Sequence, residues 1–142
     1  MLDPQHFAEQ LVAGMADAVI YADAKGMIGF WNDGATRVFG FAEPEAIGQP
    51  LDLIIPESLR QRHWDGFNAT MRTGQSRYAA GDLLSVPAIR KDGTRISVEF
   101  TILPFRNADG SMQGIAAVLR DVTPRFEELR ALRRQVAKQQ AG

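Results

Sequence analysis

Apolar residues recur every four positions near the start of the chain, at Phe7, Leu11 and Met15. That spacing predicts a short amphipathic helix, with Asp3 as its N-cap and Pro4 at the first helical position, where a missing N–H costs nothing. From Ala18 the period shortens to that of strands. Ala18-Val19-Ile20-Tyr21-Ala22-Asp23 is rich in β-formers, Ala24-Lys25-Gly26 is a turn, and Met27 to Asn32 is a second strand. The two predict a hairpin. Asn32 to Phe41 reads as a short helix, capped by the Asn32 side chain and ended by Gly40. A loop-rich stretch through Glu45, Gly48, Pro50 and Pro56 leads into a longer helix from Glu57 to Arg72, closed by Thr73-Gly74.

Three further strands are separated by turn signals. The first runs from Arg77 to Ile89 and is expected to bend, because it carries Gly81 and Pro87. Arg90-Lys91-Asp92-Gly93 turns the chain into Thr94 to Leu103, where Ile96, Val98, Phe100 and Ile102 alternate with Arg95, Ser97, Glu99 and Thr101. Alternation of that kind buries one face of a strand. Asn107-Ala108-Asp109-Gly110 is the next turn, and Met112 to Val122 the last strand. Thr123 is placed to cap a final helix that begins at Pro124; from the end of the strand onward Val122, Leu129 and Val136 stand seven apart and Leu132 falls on the complementary heptad position. The order predicts an α+β domain: a five-stranded antiparallel sheet with helices on one face, enclosing a pocket. The expected divisions are an N-terminal helix over 1–16, a core over 17–123 and a C-terminal signalling or coiled-coil helix over 124–142, with homodimerisation through the two terminal helices.

Composition narrows the chemistry. With 142 residues, 45% hydrophobic and 23% charged, the chain can build one core. A net charge of -1 argues against a nucleic-acid binder that relies on a basic face. No apolar run approaches the roughly 18 residues of a membrane helix, and the first residues lack the pattern of a secretion signal, so the expectation is a soluble, cytoplasmic domain. Zero cysteines removes disulfides, zinc-thiolate sites, iron–sulfur clusters and thiol catalysis.

Four motifs stand in register. Trp31-Asn32-Asp33-Gly34-Ala35 followed by Phe39-Gly40-Phe41 resembles the W-N-x-x-A-x-x-x-F-G-[YF] signature of PAS domains. Lys91-Asp92-Gly93 is similar to their K-D-G hairpin, and Arg120-Asp121-Val122-Thr123 resembles the D-[IV]-T junction between sheet and signalling helix. Ala18 to Asp23, Gly26, Gly48 and Ile55-Pro56-Glu57 fall where the family places equivalents. The resemblance spans roughly Phe7 to Thr123 and implies a sensory or interaction module that signals what fills its pocket. The absence of cysteine excludes the cysteine-dependent light sensors of that family.

No catalytic set competes with this. His6 and His63 are the only histidines, and the chain has no phosphate-cradling glycine loop and no H-E-x-x-H pattern, so no enzyme is expected. Ile55-Pro56-Glu57-Ser58-Leu59-Arg60-Gln61-Arg62-His63 is similar to a segment of the haem-containing PAS oxygen sensors of nitrogen-fixation kinases, whose matching histidine is the iron ligand. The resemblance implies haem b bound through His63, with diatomic gas as the signal. Helical spacing puts His63 on one face with Leu59, Gly66, Phe67 and Thr70, and Gly66 leaves room beside a flat macrocycle. Those sensors carry a gas-contacting arginine on the next strand, at the place of Leu83 or Leu84 here. The expected far wall is therefore apolar, built from Leu83, Leu84, Phe100 and Ile102, and Arg77 is a candidate partner for a propionate. The alternative is a ligand-free dimerisation or protein-interaction module.

Overall fold

The computed structural model describes residues 1–75 and 81–141. Helix α1, Pro4–Gly14, is capped by the Asp3 carboxylate, which accepts from the Gln5 N–H. No residue of α1 is buried, so its Phe7 and Leu11 stripe stays exposed. Strands β1 (Ala18–Asp23) and β2 (Ile28–Trp31) pair as the expected hairpin, turned by Gly26 at φ 80°. Helix α2, Asp33–Phe39, ends at Gly40 with φ 86°, a left-handed conformation in which a Cβ is unfavourable.

The expected loop holds more structure than its glycines and prolines suggest. It forms a helical turn, α3 (Glu43–Ala46), and two 3-10 turns at Leu51–Ile54 and Glu57–Leu59. Helix α4 starts at Arg60, because Glu57–Leu59 is wound more tightly, and ends at Thr73 with Gly74 in the left-handed region. Strands β3 (Leu84–Ile89), β4 (Arg95–Arg106) and β5 (Met112–Asp121) follow, then α5 (Thr123–Ala141). The described part of β3 is shorter than expected: Gly81, Asp82 and Leu83 are not strand, and the Arg77 end lies outside the described residues.

All pairings are antiparallel, in the order β2-β1-β5-β4-β3. The outermost position of β3 accommodates Pro87, whose missing N–H is tolerated at a sheet edge. One face of this sheet packs a core of Ile20, Ile28, Trp31, Val38, Phe39, Ile96, Val98 and Leu119. Trp31 is structural: its indole N–H donates to Thr36 Oγ1 and the Phe41 carbonyl, both at 3.1 Å.

One expected role changes. Thr123 does not cap α5 with its own oxygen. The Asp121 carboxylate accepts from both the N–H and the hydroxyl of Thr123, at 2.9 and 2.6 Å, while Thr123 Oγ1 accepts the Ser97 N–H of β4 at 2.9 Å. The hydroxyl is committed to the sheet, and the root of α5 is thereby fastened to β4.

Candidate functional site

Between the sheet and α4 lies a cavity of about 720 Å³, within the size range of small-molecule sites. Its helical wall consists of Leu59, Arg62, His63, Asp65, Gly66, Phe67 and Thr70, together with Leu51, Ile54 and Ile55 from the preceding segment. Its sheet wall is almost entirely hydrocarbon: Ile20, Ala22, Leu84, Val86, Pro87, Ala88, Val98, Phe100, Ile102, Ile115, Ala117 and Leu119, with Ser85 adding a hydroxyl.

The structure thus brings together six of the seven predicted site residues: His63, Gly66, Phe67, Leu84, Phe100 and Ile102. Leu83 is the exception. It does not line the cavity and is 62% exposed. Neighbouring residues of an extended chain point to opposite sides, so placing Leu84 inward turns Leu83 outward. Arg77 lies outside the described residues. Arg62, Ile54, Ile55 and Ser85 are lining residues that sequence reading missed. The apolar run Leu53-Ile54-Ile55, taken only as loop, held a usable signal for two of them.

His63 carries the buried polar side-chain atom that stays unsatisfied among the described residues: its Nδ1 has no hydrogen-bond partner. Leaving such an atom unpaired costs about 1–3 kcal/mol, so it marks a place where a partner belongs. Burial lowers the imidazole's proton affinity below its ordinary value, and the nearby Asp52 carboxylate acts in the opposite direction. The ring sits between aromatic neighbours, edge-to-face with Trp64 at 4.9 Å and tilted on Phe67 at 5.9 Å.

Trp64 fixes the helix that carries His63. Its indole N–H donates to Asp52 Oδ1 at 2.6 Å, and its ring lies so close to Gly26 that a Cβ there would come within 2.2 Å of it. The Arg60 guanidinium donates to the Ile55 and Asp52 carbonyls at 3.2 and 3.4 Å. Beside Gly66 there is open space: a Cβ built there meets nothing within 4 Å.

Among the described residues no group of three or more His, Asp or Glu gathers as a metal site. His63 thus offers a single ligand, which suits a metal that brings its remaining ligands in a macrocycle. No described helix is long and apolar enough to cross a membrane.

Comparison with known proteins agrees with this fold. A family profile described as PAS fold matches residues 6–122. Sensor protein FixL of Bradyrhizobium diazoefficiens is 36% identical over 86 residues, covering 61% of this chain and 17% of its own length. Oxygen sensor protein DosP of Escherichia coli K12 is 28% identical over 89 residues, covering 63% of this chain and 11% of its own. The chain therefore spans less than a fifth of these relatives. A PAS domain structure from Colwellia psychrerythraea superposes with a TM-score of 0.74 at 20% identity, covering 86% of this chain and 99% of the other.

Proposed function

The chain belongs to the PAS family, and from that premise we propose a sensory module whose cavity takes haem b on His63 and reports a diatomic gas to the terminal helices of a homodimer. The observation that carries this reading is the half-buried imidazole of His63 on the wall of a large, mostly apolar cavity. A neutral imidazole is a suitable iron ligand, and burial favours the neutral form. The open space at Gly66 leaves the face beside His63 unobstructed. Arg62 lines the cavity yet is itself exposed, a position suited to anionic groups held at the rim. The named oxygen sensor among the relatives supports gas as the class of signal.

When bound, haem supplies a metal centre that takes up a small gas. The chain's contribution is the surroundings. Leu84, Phe100 and Ile102 present hydrocarbon and exclude water, so the gas favoured here is one that needs no hydrogen bond, carbon monoxide or nitric oxide before oxygen. A cavity of this volume also supports the sensor reading over a ligand-free interaction module, whose own side chains would fill it.

Output follows from strand alternation. Val98 lines the cavity, while its neighbour Ser97 holds the root of α5: Ser97 O accepts the Val122 N–H at 2.9 Å, and the Ser97 N–H donates to Thr123. A change of occupancy that shifts Val98 is felt one residue away, where α5 begins.

The test is a visible titration of the purified protein with haem, for wild type and His63→Ala. A Soret band that saturates at one equivalent, moves on addition of carbon monoxide and is lost in the variant is expected. Uptake that is absent, or equal in both proteins, would overturn the haem reading.

A further inference from the structure

The lining of the cavity is uneven in its access to solvent. Ile20, Ala22, Val98 and Leu119 are buried, whereas Arg62, Asp65 and Gly66 on α4 and Ser85, Val86 and Pro87 on β3 are exposed. The cavity therefore opens between α4 and the outermost strand, with one helical lip and one strand lip.

The strand lip does not recruit a further strand across this opening. Ser97 turns its N–H and carbonyl to Thr123 and Val122, away from β3. Pro87 stands opposite Ser97, so its nitrogen faces the free edge. That nitrogen carries no proton, and the edge is blunted at its middle. The opening suits a small molecule rather than an extended peptide.

Charge sits on the helical lip. Among the described residues Arg62 has no ion-pair partner. Asp65, the acid on the same lip, accepts from Gln61 Nε2 at 2.9 Å. At about 100° per residue, Arg62 stands about 80° from the middle of the stripe formed by Leu59, His63, Gly66, Phe67 and Thr70, and Asp65 about 140°. Arg62 thus flanks the opening, while Asp65 is turned to its outer side. A hydrocarbon interior with one uncommitted cation at its entrance matches a molecule of the same polarity, apolar in its body and anionic at one end. A guanidinium receives a carboxylate through two parallel N–H donors.

We propose that the cavity takes an amphipathic carboxylic acid through the α4–β3 opening, its apolar body against the sheet wall and its carboxylate held by Arg62, with the Ser85 hydroxyl on the opposite lip. This rests on the same cavity as the sensor reading but requires neither iron nor His63. Arg62 is then the residue that sets ligand class, by selecting for the charged end.

The test uses the haem-free full chain and the fluorescent polyene cis-parinaric acid, compared with its methyl ester. Wild type is expected to bind the acid about three- to tenfold more tightly than the ester, the range of a partly exposed ion pair. Arg62→Gln should bring the acid to the level of the ester and leave the ester unchanged. Gly66→Trp fills the open space on the helical lip, where a Cβ meets nothing within 4 Å, and should weaken both, its urea midpoint showing that it folds. An acid bound no better than its ester, a preference that survives Arg62→Gln, or binding untouched by Gly66→Trp would each overturn the assignment. Haem uptake beside unselective acid binding would sink this proposal alone. Arg62-dependent acid binding in a protein that takes no haem would support it and sink the haem reading alone.

Discussion

At Gly26 two demands coincide: the turn requires a positive φ, and the indole of Trp64 occupies the place of a Cβ. Gly26→Ala is expected to destabilise the fold by at least about 1–2 kcal/mol, measured by urea denaturation, through backbone strain and displacement of Trp64. Trp64→Phe keeps a ring against Gly26 but removes the donor to Asp52, and should cost about 1–3 kcal/mol in the same assay. If His63 is held by that ring, haem affinity should fall too, while His63 remains available. The pH dependence of His63 is also predictable. Its folded proton affinity is lowered, so as pH falls through about 6.5 the unfolded chain binds the proton first and stability declines. In the haem-free protein, His63→Gln should flatten the stability profile between about pH 7 and 5. An unchanged profile would show that the imidazole is not desolvated. At this scale the sequence was legible for His63, and Gly26 read correctly as a turn, but the Trp64–Asp52 bond links residues 12 apart and depends on how α4 is laid down.

Among the elements, the junction at Asn32 shows how a cap acquires a second task. Its Oδ1 accepts from the Ala35 N–H at 2.9 Å, as a cap should, and also from the Val19 N–H at 2.8 Å. Its Nδ2 donates to the carbonyls of Val12 and Asp17, at 2.8 and 3.0 Å, so one side chain joins α1, β1 and α2. Asn32→Ala should cost about 2–4 kcal/mol, since it orphans backbone groups in a buried setting, and should raise hydrogen exchange along β1 and the end of α1. A loss below about 1 kcal/mol would mean that water or a backbone shift replaces those bonds. The capping role was visible from Asn32 and the helix after it. Its hold on Val12 was not, because nothing local specifies where that carbonyl arrives.

For the molecule as a whole, α5 adds reach rather than core. Deleting residues 124–142 keeps Val122 and the whole sheet, so the remaining domain should melt within a few degrees of the full chain at low concentration. Its dimer fraction should collapse, and sedimentation would reveal both. An unchanged oligomeric state would move the interface to another surface. Both terminal helices leave the same end of the sheet, where Asp17, just before β1, pairs through both oxygens with Arg120 at the end of β5, at 3.1 and 2.8 Å. These residues are 103 positions apart, and the pair is largely exposed, so its weight in stability is small.

What the amino-acid order determined alone is local: helix and strand periods, the caps at Asp3 and Asn32, the glycine turns and the alternating face of β4. Each rests on sterics and hydrogen bonds within a few residues of one another, which the chain carries wherever it goes. The alternation of β4 was read correctly, yet Ile96 and Val98 are 6 and 1% exposed while Phe100 and Ile102 are only half-buried. The same pattern serves core at one end and cavity wall at the other, according to what packs above it. The tertiary structure decided which of Leu83 and Leu84 faces inward, which residues converge around His63 and whether its Nδ1 finds a partner. Those outcomes depend on distances between segments far apart in the chain, and such distances exist only once the elements have packed.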